Sequence, residues 1–191
     1  MKNTKLLILL AACCFSMVSK AQTIGPVVGN NLSGFIGGDM ESFEMKPGFH
    51  AGVVVDMKAG TNMFFETGII YSQKGVMFKD DNKLKFELAY LEIPFLPKYI
   101  ARSGFNFYTG PYISFLMSSK LTYGSEELNL KVHTNSVDAG LKLGLGYQLA
   151  NGLTLSANYG IGFVNVLKDA TSDKMNNSVL GFSLACMFGG K

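Results

Sequence analysis

Six charged side chains occur in stretches where apolar and polar residues alternate, always on the polar side of the alternation. Alternation with a period of two indicates a β-strand with one apolar face, so these six are expected to share the polar face of a sheet. Both signs are present, and opposite charges held away from water either pair with one another or line a path for ions. The two hypotheses are a network of ion pairs that closes an interior and a narrow ion path or gate. The six residues are Glu66, Lys74, Glu92, Lys98, Asp138 and Lys142.

The two histidines are the only candidates for a general base beside a serine nucleophile. His133 lies close in sequence to Ser136 and Asp138 in a predicted loop, which leaves a hydrolase or acyltransferase as one alternative function. Such a base needs a nucleophile and an orienting carboxylate within hydrogen-bond reach, and a solvated loop histidine has neither. His50 falls on the polar side of an alternating stretch and is expected at a rim or in an interior. We therefore predict no catalytic residue and no enzyme activity.

Residues 1–21 have the pattern of an export signal. Lys2 and Lys5 precede an apolar run over residues 6–15, and Ser19-Lys20-Ala21 forms a small-x-small cleavage site before Gln22. The run is too short to cross a bilayer as a helix. We predict cleavage before Gln22. The alternative is a lipoprotein signal over residues 10–13, in which Cys13 would become the lipidated N-terminus.

Removal of this signal changes the charge and the cysteine content. Three lysines leave, and the remaining 14 basic residues equal the 14 acidic ones, so no basic patch for nucleic acid is expected. Only Cys186 remains, which excludes an intramolecular disulfide; with two histidines and no cysteine cluster, a metal site is not expected either. Gly140, Gly144 and Gly146 alternate with leucines and precede no helix, so they are not a phosphate-binding loop. We expect no metal and no cofactor.

Eight segments of residues 22–191 alternate and predict eight strands in one domain. The clearest is a hairpin over residues 137–163, whose arms are joined by Asn151-Gly152, a dipeptide that favours a two-residue type I′ turn. Pro94, Pro97 and Pro111 fall in two strands expected to be neighbours, and this predicts a bulge or kink between them. The predicted strands are 24–33, 49–58, 63–76, 88–100, 105–120, 137–149, 153–163 and 178–188.

The connections between these strands alternate in length. Residues 59–62, 102–104 and 150–152 are tight turns, whereas 34–48, 77–87, 121–136 and 168–177 are longer and polar. Outer-membrane barrels have this arrangement, with short periplasmic turns and longer outer loops. An even number of strands also returns both ends of the chain to the periplasm. The fold class predicted is all-β: a single eight-stranded antiparallel up-and-down transmembrane β-barrel.

The composition of the two faces determines which one contacts lipid. The polar face carries charges of both signs and many glycines, which suits a narrow lumen filled by side chains. The other face is uniformly apolar, and Tyr99, Phe105 and Tyr147 fall near the tight turns, where an interfacial aromatic girdle is expected. The alternative is an exported soluble, lipocalin-like barrel that turns its apolar face inward to bind an apolar ligand. Its outer face would then carry the glycines and mixed charges.

Three segments of the predicted strands read Tyr71-Ser72-Gln73-Lys74-Gly75, then YLEIPFLPKY over residues 90–99, then FNFYTGPY over residues 105–112. Together they resemble the PorT-type outer-membrane β-barrel family of Bacteroidetes. Pro97 stands where the family pattern has an aliphatic residue. The resemblance covers most of residues 22–191 and implies an outer-membrane barrel of about eight strands, without implying an activity.

The function expected from the sequence is therefore that of a small outer-membrane barrel with a structural, interaction or narrow-pore role. Its expected partners are outer-membrane lipid and an unknown protein or glycan at the outer loops. The polar loop residues that would meet such a partner are 79–81, 126–127, Asp169 and Asp173. An outer-membrane hydrolase or acyltransferase and the soluble barrel are the alternatives.

Overall fold

The computed structural model describes residues 22–37, 43–79, 84–124, 126–168 and 174–189. The predicted signal at 1–21, with its alternative at Cys13, lies outside the described residues, as do Asp80, Asp81, Asp169 and Asp173. No described segment forms a helix long and apolar enough to cross a membrane.

Every strand pairs antiparallel with its neighbour, and the first and last long strands pair with each other. The sheet therefore closes into an eight-stranded barrel, as predicted. A short strand, β6, lies on β5 outside this circuit, and β10 continues β9 along β1. The strands are β1 Gln22–Ile36, β2 Phe43–Lys58, β3 Met63–Phe78, β4 Leu84–Ile100, β5 Phe105–Tyr123, β6 Glu126–Asn129, β7 Val137–Gln148, β8 Leu153–Asn165, β9 Asn176–Cys186 and β10 Phe188–Gly189.

The two ends of the barrel differ. We call the end with the connections 59–62, 101–104 and 149–152 the turn end, and it also holds Gln22 and Gly189. The opposite end, with the longer connections, is the loop end. The strands extend further toward the loop end than predicted: Phe78 and Phe86, expected in a loop, lie on β3 and β4. The predicted loop 121–136 contains β6, so Glu126 and Glu127 are strand residues there.

The turn at Asn151-Gly152 is not the predicted type I′ turn. Among the described residues, positive φ occurs only at glycines, and Asn151 therefore lacks the positive φ that type I′ requires. Gly152 N–H instead donates to Leu149 O at 3.0 Å, and Gly152 has a φ of 86°. This is a type I turn followed by a left-handed glycine. Gly104 repeats it, donating to Ala101 O at 2.9 Å with a φ of 93°.

The proline-rich seam between β4 and β5 is irregular, as predicted, but not by a bulge at the prolines. Pairing stops after Pro94 with Tyr112 and resumes at Lys98 with Tyr108 in the same register. The register shift in this pair of strands lies at Ala89–Tyr90, opposite Met117. After the bulge Ser119, which is 1% exposed, is the inward residue, whereas Ser118, predicted on the polar face, is partly exposed.

The apolar face points outward along the whole wall. Leu141, Leu143 and Leu145 on β7 are about half exposed, whereas Asp138 on the opposite face is 2% exposed. Tyr99, Phe105 and Tyr147 are exposed near the turn end, where the aromatic girdle was expected. The lipocalin-like arrangement, with its apolar face inside, is therefore wrong for this chain.

Candidate functional site

The lumen of the barrel is the candidate site, because the polar faces of all eight long strands meet there. Glycines on β7 and β8 provide the space for side chains from β5 and β7. A Cβ added to Gly144 would lie 2.2 Å from Tyr108 Cζ, so Tyr108 occupies the place of a side chain on β7. A Cβ at Gly162 would lie 2.7 Å from Asp138 Oδ1. The glycine-rich alternation of the 137–163 hairpin thus positions residues in the lumen.

Four of the six predicted charges form one central cluster: Lys74, Glu92, Asp138 and Lys142. Lys74 Nζ lies 3.2 Å from Glu92 Oε2 and 3.5 Å from Asp138 Oδ2. Lys142 Nζ contacts the other oxygen, Glu92 Oε1. Lys74, Glu92 and Asp138 are each 2% exposed, so this charge-balanced cluster is enclosed by the wall.

Aromatic and amide groups complete the surroundings of the central cluster. Lys74 Nζ lies 4.7 Å from the Tyr112 ring centroid and 5.1 Å from that of Tyr90, both within cation–π range. Tyr112 Oη donates to Asp138 Oδ2 at 3.3 Å, and Asn177 Nδ2 donates to the same oxygen at 3.1 Å. A buried ion pair needs such additional hydrogen bonds to offset the loss of water.

The other two predicted charges form a second cluster nearer the turn end. Lys98 Nζ donates to Glu66 Oε2 at 2.7 Å and to Asp56 Oδ2 at 2.9 Å. Lys98 lies on β4, Glu66 on β3 and Asp56 on β2. One ammonium group therefore links side chains of three adjacent strands.

His50 lies inside the barrel and takes part in a third polar group. Its Nδ1 is 2.8 Å from Asn31 Oδ1, which can only accept, so Nδ1 carries the proton. Asn31 Nδ2 in turn donates to Gln73 O at 2.9 Å and to Ser72 Oγ at 3.0 Å. His50 Nε2 lies 2.8 Å from Ser183 Oγ. These contacts connect β1, β2, β3 and β9 through side chains.

The structure does not bring together the residues of the hydrolase alternative. His133 is exposed at the loop end, whereas Asp138 points into the lumen toward Lys74 and Tyr112. Within the described residues, no group of three or more His, Cys, Asp and Glu side chains is arranged to hold a metal ion.

The lumen is closed at the loop end by apolar side chains, which the sequence did not predict. Their rings pack edge to face, with centroids 6.0 Å apart for Phe35 and Phe86 and 5.1 Å apart for Phe43 and Phe78. Segment 130–136 folds over this plug, and Thr134 pairs with Leu167. The buried members of the plug are Phe35, Val76, Phe86, Leu88, Tyr90, Leu116 and Val166.

Open space in the lumen lies between the plug and the turn end. An internal cavity of about 60 Å³ is lined by residues of both ion clusters, including Lys74 and Lys98. A wider vestibule of about 870 Å³ opens at the turn end beside Asp56, Lys58 and Arg102. The lumen therefore has a polar opening at one end and an apolar plug at the other.

Sequence reasoning missed the uncharged members of the site and the plug. Tyr112 and Asn177 complete the central cluster, yet a tyrosine or asparagine in an alternating stretch carries no mark of an interior ion partner. The one available signal was the run of inward glycines on β7, since a glycine facing a lumen implies a large neighbour. Phe78 and Phe86 flank a connection and therefore looked like loop residues.

A family match and one solved structure agree with this architecture, and two further structures are similar to a lesser degree. Residues 20–168 match a family described as "Outer membrane protein beta-barrel domain". The crystal structure of Neisserial surface protein A superposes with a TM-score of 0.58 at 13% identity, covering 89% of this chain and 98% of that one. Ail of Yersinia pestis gives a TM-score of 0.47 at 12% identity, covering 86% and 99%. OprG from Pseudomonas aeruginosa gives 0.45 at 11%, covering 88% and 94%. No curated protein matches the sequence.

Proposed function

This chain belongs to the outer membrane protein beta-barrel domain family, and we propose that in the outer membrane it forms a closed barrel with a structural or interaction role. It is a small outer-membrane barrel of eight strands, and its outer wall contacts lipid. The observation that carries the proposal is the filled lumen: two enclosed ion clusters lie below an apolar plug. Neither catalysis nor conduction is part of the proposed role.

Conductance measurement tests the closed lumen against the ion-path hypothesis. The exported protein is reconstituted into planar bilayers as wild type, Glu92→Gln and Lys142→Met, with Lys120→Met at the loop-end rim as the control. We expect no single-channel steps from any of the four proteins, because the plug lies in series with the ion clusters. Steps in the wild type that change with Glu92→Gln and not with Lys120→Met would establish a narrow pore instead.

We propose that the interaction role belongs to β6 at the loop end, with the loop end facing outward. β6 pairs with β5 along one edge, and among the described residues its other edge has no partner. A free edge next to exposed apolar side chains favours addition of a strand from another protein. Leu128 is 59% exposed and Val132 77% exposed at this place, outside the lipid-facing wall. A protein partner is therefore favoured over a glycan.

A photo-cross-linking amino acid at Leu128 tests this role in living cells. We expect a discrete protein adduct from position 128 and none from position 147 on the lipid-facing wall. Absence of an adduct at 128, or an adduct that carries glycan and no protein, would contradict the proposal.

We further propose that the chain is of the PorT type and that residues 1–21 are removed on export. The resembling segments lie on the adjacent strands β3, β4 and β5 and supply Lys74, Glu92 and Lys98 to the lumen, which supports their being one motif. Mass spectrometry of the mature protein should find Gln22 as its first residue. A lipid-modified Cys13 would show the lipoprotein alternative to be right.

A further inference from the structure

An asparagine side chain points outward from the middle of the lipid-facing wall. Asn30 lies on β1 between Val28, which is 52% exposed, and Leu32, which is 38% exposed. Its own side chain is exposed. The register places it between Phe49 on β2 and Phe182 on β9, both about half exposed. The Asn30 amide is thus surrounded by side chains that face acyl chains.

Two other polar groups on the outer wall find partners within the chain. Tyr159 Oη lies 2.8 Å from Ser178 Oγ, and near the turn end Asn62 Nδ2 donates to Tyr99 Oη at 3.3 Å. Asn30 has no such side-chain partner among the described residues. An amide facing hydrocarbon without a hydrogen bond costs free energy, since no water reaches it there.

We propose that the wall around Asn30 is the contact surface for a second copy of this chain in the membrane. A primary amide both donates and accepts, so two Asn30 side chains facing each other across a two-fold axis satisfy one another with a reciprocal pair of hydrogen bonds. Asparagine side chains hydrogen-bond across the interfaces of transmembrane helices in the same manner. A lipid acyl chain at the same place has no group that can form a hydrogen bond with the amide.

The neighbours of Asn30 suit such a two-fold contact. With the axis parallel to the barrel axes, the β2 side of one copy meets the β9 side of the other, so Phe49 of one lies opposite Phe182 of the other. Both are register partners of Asn30 on the adjacent strands, so an aromatic contact lies on each side of the amide pair. Ala51 and Ala157 are small residues of the outer wall beside these rings, on the same open patch of the surface as Asn30. They leave the rings accessible to a second copy.

Association of the purified, exported protein in lipid bilayers tests the role of Asn30. Subunit counting by single-molecule photobleaching is compared for wild type, Asn30→Leu and Thr109→Leu. Thr109 is an exposed polar residue of the outer wall on β5, far from β1, and is the matched control. We expect a dimer that Asn30→Leu weakens roughly tenfold, the order of effect of interhelical hydrogen bonds in membranes, and that Thr109→Leu leaves unchanged. A monomeric wild type, or a dimer unaffected by Asn30→Leu, would overturn the proposal.

Disulfide cross-linking tests the geometry independently of Asn30. In a Cys186→Ser background, Phe49→Cys and Phe182→Cys copies are expressed together and oxidised in their native membranes. The two-fold contact predicts a mixed dimer at least tenfold more abundant than the dimer of Phe49→Cys with itself. Equal amounts of the mixed and the like dimers would contradict this geometry and leave only random collision.

Discussion

Glu92 is the residue on which the charge balance of the lumen depends. Each of its oxygens contacts a different ammonium group, Lys74 or Lys142. Removing one member of a buried ion group costs more than the group contributes as a whole, because the remaining charge is left without a counterion. A substitution here should therefore affect folding before it affects any transport.

We predict that Glu92→Gln lowers the free energy of unfolding by about 3–5 kcal/mol, because Lys142 loses its counterion in an enclosed lumen. Adding Lys142→Met should restore part of this loss, since Lys74 and Asp138 then remain as a neutral pair. Urea unfolding from lipid vesicles measures the single and double variants in one cycle. Equal stability of Glu92→Gln and wild type would show that these charges are solvated.

Gly144 leaves space in the lumen for the Tyr108 ring. Gly144→Ala puts a methyl group 2.2 Å from Cζ of the Tyr108 ring, which is 5% exposed. We expect the unfolding free energy to fall by about 1–3 kcal/mol, the usual cost of overpacking. Gly60→Ala is the matched control, because the nearest atom to its Cβ, at 3.5 Å, is at ordinary contact distance. A similar loss in both variants would mean that the Tyr108 contact is not the cause.

At the residue scale, the period-two alternation was enough to place all six predicted charges on one face. It could not reveal which of them meet, because this depends on register between strands that are distant in sequence. Lys74 and Asp138 lie on β3 and β7, and their contact follows from barrel closure.

At the scale of elements, the hairpins were predictable and their turn geometry was not. The dipeptide Asn-Gly occurs in several turn types. Here the hydrogen bond from Gly152 N–H to Leu149 O belongs to a hairpin loop that is one residue longer than the two-residue loop of a type I′ turn. The strands were also predicted to end too early at the loop end, for a related reason. β6 has only four residues, and strands this short depend on the wall they pair with rather than on their own pattern.

The turn that contains Gly152 should be sensitive to substitution of this glycine. Its φ of 86° disfavours any side chain, and a Cβ there would lie 2.4 Å from Met187 O. We expect Gly152→Ala to lower the unfolding free energy by about 1–3 kcal/mol. Asn151→Ala should cost no more than about 1 kcal/mol, because it removes only the exposed hydrogen bond that Leu153 N–H donates to Asn151 Oδ1. Were the turn of type I′, Asn151→Ala would be penalised as well, since both positions would need positive φ.

At the scale of the whole molecule, the chain separates its polar and apolar residues across a closed wall. Charges pair in the lumen, aromatic residues plug the loop end, and the outer surface is apolar except at isolated sites such as Asn30. The fold class followed from strand count and connection lengths. The plug did not, because its residues come from the ends of several strands that meet only after closure.

The apolar face of the wall contacts lipid while the polar face encloses the lumen, and fluorescence quenching distinguishes this arrangement from its inverse. The chain contains no tryptophan, so a single introduced tryptophan reports its own surroundings. Phe107 and Tyr108 are consecutive residues of β5, 40% and 5% exposed on opposite faces at nearly the same depth. Each is replaced by tryptophan, and heat-modifiable gel mobility confirms that both variants fold.

In vesicles of brominated lipid, the Phe107→Trp protein should be strongly quenched and the Tyr108→Trp protein almost unaffected. Strong quenching of Tyr108→Trp with protection of Phe107→Trp would contradict this arrangement, because the polar face would then be the one in contact with lipid.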